Sequence, residues 1–360
     1  MKNIIKTLGV MLASISLLAV SAKAGELAVS GTAKATYNVY SGKSNTGKGL
    51  GITNELNFTA SGETDAGYTW SYSMELDPNT TGDTATSPSN TPPGAALNDD
   101  TQISLTMNDM GTAKICVSTC GNSKEYAFDQ SAYTSMSDTG LSEGIEYPIS
   151  ASSYASLQYH TPELPFGTTG SVAYGQTKVG DGQSGNAQAG SNGNNITAYS
   201  LVTKPVDGLT LAASYYIIDA VGNIGARQEN EGGSYNFNYS MGPVSFGYGE
   251  TLYAPAQRMN NATATQLVQH YENEAYSVGF AVNDALSVSY TAESSEKQSR
   301  AISNTNVTTR GDVEMDIDTI DVAYNKKNLL RMIFHKNKMT FRQDDQLAIY
   351  KNSHQALLVV

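Results

Sequence analysis

Residues 68 to 76 alternate without a break. Tyr68, Trp70, Tyr72, Met74 and Leu76 occupy the even positions, with Thr69, Ser71, Ser73 and Glu75 between them. A two-residue period sends every large apolar group to one face of an extended strand and every polar group to the other. The same pattern recurs along most of the chain. Leu27, Val29, Gly31, Ala33, Ala35, Tyr37 and Val39 alternate with Ser30, Thr32, Lys34, Thr36 and Asn38, and Ile52, Leu56, Phe58 and Ala60 with Thr53, Glu55, Asn57 and Thr59. Later segments are marked by Ile103 to Met107, Ala113 to Val117, Ala155 to Tyr159, Val172 and Tyr174, Tyr199 and Leu201, and Leu209 to Ile217. Tyr235 to Tyr239, Val244 to Tyr248, Tyr276 to Val282, Leu286 to Tyr290 and Ile320 to Tyr324 complete the series.

About fourteen strands are recognisable by this criterion. Their connections alternate in length: long polar stretches are centred near residues 45, 88, 135, 187, 226, 262 and 302, and the turns between them are short. Long loops on one side and short turns on the other predict an all-β fold, a transmembrane antiparallel up-and-down β-barrel. A sandwich with Greek-key crossings would not sort its connections this way. The polar alternate faces predict a wet interior, because a soluble barrel of this size would have to fill its inside with apolar side chains.

Composition agrees with strands. Of 360 residues only 39% are hydrophobic, yet there are 22 Tyr and 33 Gly, a balance that favours sheet and turn over packed helix. No apolar run reaches 18 residues, which excludes a helical membrane protein. The net charge of −12 comes without a basic stripe and argues against nucleic acid as a partner.

Residues 1–24 have the form of a secretory signal. Lys2 and Lys6 precede an apolar core from Gly9 to Val20, and Ala22-Lys23-Ala24 is a small-x-small cleavage site that would leave Gly25 first. Export would place Cys116 and Cys120 in an oxidising compartment, where they could close a small loop; two free thiols are the alternative. No other His or Cys stands near them in sequence, so neither a metal nor another cofactor is expected.

With the opening strand Glu26-Leu27-Ala28-Val29-Ser30-Gly31, the long third loop and the rhythm of short turns and long loops, the chain resembles the Gram-negative general porins, most closely the alphaproteobacterial type. The resemblance covers residues 1 to 325. It implies a 16-stranded barrel in the outer membrane, a homotrimer surrounded by outer-membrane lipid, and a third loop that folds inward to narrow a channel for small hydrophilic solutes and ions. The organisation expected is therefore a signal peptide (1–24), a barrel (25–325) and an atypical tail (326–360). The tail carries seven Lys/Arg against two acids, whereas residues 25 to 325 hold 12 against 32. It also ends on Leu-Leu-Val-Val, where a porin of this type would end on an aromatic residue. A reading-frame shift or replaced terminus accounts for such a change, and a divergent pair of strands is the other reading.

A channel acts through the charges that its wall and constriction present. Strand parity turns Lys34, Glu55, Glu75, Lys114, His160, Lys178, Glu293 and Asp321 toward the lumen. If the third loop folds in, Glu125, Asp129, Asp138, Glu143 and Glu146 face them. The family often clusters arginines on the wall, but here Arg227, Arg258, Arg300 and Arg310 fall in predicted outer loops, so cation preference is expected. No nucleophile elbow or zinc spacing accompanies His160 or His270, and no enzyme is expected. The competing classes are a structural or adhesive barrel with a plugged interior and a solute-specific channel. Wide ohmic conductance supports a general channel, saturable flux a specific one, and electrical silence a structural barrel. The membrane reading itself predicts β-type circular dichroism and partition with envelope fragments; freely soluble, helical material would contradict it.

Overall fold

The computed structural model describes residues 27–41, 47–76, 100–117, 120, 146–148, 154–178, 194–220, 226–258, 266–301, 312–326, 330–343 and 346–359. Among them sixteen antiparallel strands form one closed sheet. In chain order the first nine are β1 (Leu27–Ser41), β2 (Gly47–Glu63), β3 (Thr69–Leu76), β4 (Thr101–Thr106), β5 (Thr112–Val117), β6 (Tyr154–His160), β7 (Thr169–Lys178), β8 (Asn194–Thr203) and β9 (Leu209–Ala220). The other seven are β11 (Asn230–Met241), β12 (Val244–Ala254), β14 (Gln266–Asn283), β15 (Leu286–Ala301), β16 (Val313–Lys326), β17 (Leu330–Gln343) and β18 (Gln346–Val359). Two short strands, β10 (Ala226–Gln228) and β13 (Gln257–Arg258), pair with each other outside the barrel and join two of the long loops.

Each barrel strand pairs with its neighbours in sequence, and β1 closes the sheet against β18, with Lys34 opposite Val359 and Ser41 opposite Asn352. The two strands that did not read as such from the sequence, β17 and β18, both lie in the basic tail. Their register sets positions 336 and 338 opposite Ile320 and Asp318, and position 342 opposite Glu314. Arg300, expected in a loop, is instead near the end of β15, opposite Leu267.

The two-residue period becomes two surfaces. On β14, Tyr276 is 56% exposed while its neighbour Ser277 is 6% exposed, and Val278 and Phe280 continue the outer row. Cross-strand register extends these rows around the barrel: Phe246, Val278, Tyr290 and Ile320 are successive partners on β12, β14, β15 and β16. Apolar side chains facing outward in such a band match hydrocarbon.

The upper limit of the band is marked by tyrosines. Phe237, Tyr248 and Tyr276 are register partners, with the Tyr248 and Tyr276 rings 4.9 Å apart. Tyr248 and Tyr276 donate their hydroxyls to Glu274 at 3.0 and 2.5 Å, and Tyr290 donates to Asp318 at 2.6 Å. Rings with a wet end belong at a lipid–water boundary. One row further toward the long loops Glu272 stands opposite Glu296, and Glu296 opposite Glu314. Like charges directly opposed are unfavourable, and three in succession require water around them, so the hydrocarbon stops below this row.

At the other rim the turns are tight. After the 3-10 turn Asn108–Met110, Gly111 adopts φ of 83° with its α-carbon against the His160 carbonyl and near Pro162, a position that a β-carbon would occupy with a clash. Tyr159 donates its hydroxyl to the Met110 carbonyl at 2.8 Å, fastening this turn to β6.

Replacing Val278 by Arg should destabilise the barrel by about 2–4 kcal/mol, the cost of a cation in the apolar band, when unfolding from lipid vesicles is followed in denaturant. Ser277→Arg, on the opposite face of the same strand, should cost less; equal costs would contradict the assignment of faces. Gly111→Ala should cost about 1–3 kcal/mol in the same measurement, through strain at the turn.

Candidate functional site

The inner wall is built from small hydroxyl side chains that bond across the strands. Ser71 and Ser104 lie 2.6 Å apart, Ser171 and Ser200 2.6 Å, and Ser214 and Ser234 2.8 Å. Each pair satisfies polar groups on a surface where neighbouring strands bring matched residues together. From β14 to β16 the wall continues through Ser277, Ser289, Thr291 and Thr319, and it includes the carboxylates of Glu293 and Asp321, both buried. Both acids were expected to face inward from strand parity.

Lys114 projects from the same face of β5, half-buried and opposite Gln158 of β6. Glu75 stands opposite Asn57. Lys34 and Glu55 are placed by backbone register alone, opposite Thr53 and Thr32, and Lys178 pairs with Tyr154. Of the acids expected on the third loop, Glu125, Asp129, Asp138 and Glu143 lie outside the described residues, and Glu146 is described.

The third connection touches the barrel at two distant places. At its start Cys116 and Cys120 form a disulfide, with Cα atoms 5.9 Å apart and Cys116 fully buried. Around it β4 and β6 supply polar groups. Gln158 donates Nε2 to the Cys120 carbonyl and, at 3.0 Å, to Ser156 Oγ; its Oε1 lies 3.0 Å from His160 Nε2, and Gln102 Oε1 lies 3.0 Å from Cys120 Sγ. Closing so short a loop removes little chain entropy, on the order of 2 kcal/mol. The effect of the bond is therefore mainly local, at the end of β5.

The second contact is on the far wall. Asn273 of β14, fully buried, donates Nδ2 to the Glu146 carbonyl at 2.9 Å and to Thr251 Oγ1 at 2.9 Å, while its Oδ1 accepts from Ser295 Oγ at 2.5 Å. Going round the sheet from β5 to β14, six strands intervene one way and eight the other. The two attachment points are thus almost diametrically opposed.

Part of the inner wall is apolar, against the expectation of a polar lining. Ala173, Ile196, Ala198, Tyr216, Ile218 and Tyr253 form a buried cluster on β7, β8, β9 and β12, and Tyr271 packs against it. The Tyr253 and Tyr271 rings stack 5.8 Å apart, and Tyr216 lies across Gly232, where a β-carbon would sit 2.9 Å from its ring. Glycine at that position makes room for the ring. This patch extends to the strands that hold Glu146.

Some of this escaped sequence reasoning. Asn273 and Gln158 are ordinary polar residues on the wet face of strands, and nothing local distinguishes them from Asn236 or Ser277. Lys297 was also missed; it pairs with Tyr271 and Val313 on the inner face, and the parity of Glu293 and Ser295 extended by one step would have found it. The inward apolar patch was missed because Ile196, Ile218 and Tyr253 lie near strand ends, where the outward row had already been taken as the apolar one.

A family profile described as Gram-negative porin matches residues 10–325. The chain belongs to this family. Among solved structures this porin is similar to Salmonella typhi OmpF in complex with daunomycin, at 13% identity over 93% of this chain and 97% of that one, with a TM-score of 0.63. It is similar to a loop L8 deletion mutant of OmpT from Vibrio cholerae, at 12% identity over 93% and 99% of the chains and a TM-score of 0.63. An anion-selective porin from Comamonas acidovorans matches at 12% identity over 93% and 98%, with a TM-score of 0.57. At such identities the likeness is one of fold. No curated protein sequence matches the chain. Family and fold together identify an outer-membrane channel for passive diffusion.

Replacing Asn273 by Ala removes the donor to Glu146 and leaves Thr251 and Ser295 to find new partners, at a cost of about 1–3 kcal/mol. The heat-modifiability temperature of the folded barrel on gels should fall; no change would contradict a structural role for this contact.

Proposed function

We propose that this porin is a general channel for small hydrophilic solutes and ions, narrowed by its third connection and selective for cations. The single observation that carries the constriction is the bond from Asn273 to the Glu146 carbonyl. It supports a loop that leaves β5 on one side of the lumen and is held by β14 on the other, in the manner that the family resemblance implies. The loop acids Glu125, Asp129, Asp138, Glu143 and Glu146 then stand across from Lys34, Glu55, Glu75 and Lys114.

Cation preference is supported by the wall itself. Glu293 and Asp321 are carried on adjacent strands, Glu293 between Ala275 and Ile317 and Asp321 opposite Ser289. A ring or patch of carboxylates raises the local concentration of cations and lowers that of anions. The channel is taken to be a homotrimer, exported with removal of residues 1–24, with no nucleic acid and no cofactor involved in its action. The tail 326–360 is read as a replaced or frame-shifted terminus: the family match ends at residue 325, where the charge balance also reverses.

In a planar bilayer with a tenfold potassium chloride gradient, the reversal potential should have the sign of cation preference. Glu293→Gln combined with Asp321→Asn should lower the ratio of cation to anion permeability at least twofold. Anion preference in the unmodified protein would refute the selectivity reading.

A further inference from the structure

We infer that Lys114 is the centre of an anion-binding subsite on the lumen wall, near the rim of short turns, which takes a small oxyanion such as the phosphate group of a permeating solute. The inference rests on the channel reading above and adds to a cation-preferring lumen one site of the opposite sign.

Lys114 is the third residue of β5, a strand that follows directly on the turn Asn108–Met110 and Gly111. Its side chain is half-buried against the inner wall, where an ammonium has lost part of its hydration. A carboxylate partner ordinarily offsets that loss. Here none does: among the described residues Lys114 makes no ion pair and no hydrogen bond. The stretches that adjoin it, residues 69–73 on β3, 102–106 on β4, 112–116 on β5, 156–160 on β6 and 171–173 on β7, hold no Asp or Glu. Asp109, before β5, and Glu163, after β6, are exposed in the turns. The buried carboxylate of Glu293 is on β15, and seven strands separate β15 from β5 in either direction round the sheet.

What surrounds the ammonium instead is a set of groups able to donate. Gln158 stands opposite Lys114 on β6, but its amide is engaged: Nε2 donates to Ser156 Oγ and to the Cys120 carbonyl, which leaves Oε1 to accept from His160 Nε2 at 3.0 Å. The side-chain carbonyl across from Lys114 is thus already in use. On β4 its register partner is Ser104, whose Oγ lies 2.6 Å from that of Ser71. One row nearer the rim, the hydroxyls of Thr106 and Thr112 are 3.1 Å apart. Each hydroxyl has one proton to give. Within a pair one proton closes the bond between the two oxygens, and the other is left to donate elsewhere. Lys114 therefore stands beside two hydroxyl pairs, each with an O–H to spare. An ammonium flanked by such donors matches an oxyanion, which brings several acceptor oxygens and a compensating charge together.

The test uses full-length porin whose heat-dependent gel shift shows a folded barrel. Reversal potentials are measured in planar bilayers with a fixed potassium chloride gradient at neutral pH, and inorganic phosphate is added equally to both sides as the probe. In the unmodified protein phosphate should cover the charge of Lys114 and move the potential toward greater cation preference, with a saturable dependence on concentration. Perchlorate, tetrahedral like phosphate but a poor hydrogen-bond acceptor, should bind about tenfold more weakly, as expected where charge-assisted hydrogen bonds are lost. Lys114→Met should start at the shifted potential and respond no further, while Lys114→Arg should respond as the unmodified protein does. Ser104→Ala should raise the half-saturating phosphate concentration about threefold, the effect of one neutral donor. Lys204→Gln, which removes an exposed lysine from a turn at the same rim, should leave the response unchanged. A phosphate response that fails to saturate, that perchlorate equals, or that survives Lys114→Met in a folded channel would overturn the inference and leave the channel reading intact. Absence of conductance in the unmodified protein would instead overturn the channel reading.

Discussion

The structure depends on one constraint, the pairing of every backbone amide and carbonyl that lies in hydrocarbon. An unsatisfied group there costs several kcal/mol, with no water to relieve it. A sheet can meet this requirement only by having no edge, and β1 against β18 supplies the last seam. Once the cylinder is closed, the two-residue period of the strand does the rest. Each strand can show lipid on one side and solutes on the other with no change in backbone, which is why a chain only 39% hydrophobic can form a membrane protein.

The consequences differ for the two faces. Outside, the sequence of rows from Val278 and Phe280, through the tyrosines, to the opposed glutamates reproduces the profile of a membrane from hydrocarbon to water. Inside, hydroxyl side chains share the wall with apolar ones: Met315 and Ile317 are buried on β16, and the cluster at Ile196, Tyr216 and Ile218 with the stacked pair Tyr253 and Tyr271 lies toward the strands where Asn273 holds Glu146.

Much of the barrel was legible because lipid imposes a repeated rule on residues near one another in sequence. Tyr68 to Leu76 and Tyr276 to Val282 show the period to the eye, and the parity of Glu293 and Asp321 followed from their neighbours. The tail was harder, since its strands β17 and β18 are defined by register with β16 and β1 and not by a clear alternation: positions 336 and 338 place lysines on the row of Ile320 and Asp318. The contacts of the third connection were harder still. Asn273 and Glu146 are separated by more than a hundred residues, and only closure of the sheet brings β5 and β14 to opposite sides of one lumen. Cys116 and Cys120 were visible as a pair from their spacing, but the polar setting that Gln102 and Gln158 give them belongs to strands that meet only on folding.

The account turns most directly on whether one strand meets lipid and water at alternate residues. Nitroxide labels placed singly from position 275 to position 282, in a background with Cys116 and Cys120 replaced by serine, report this through their collision rates with oxygen and with a water-soluble nickel chelate. Labels at 276, 278, 280 and 282 should be accessible to oxygen and shielded from nickel, and those at 275, 277, 279 and 281 the reverse. A flat profile, or the opposite phase, would contradict a closed cylinder with hydrocarbon outside and water within.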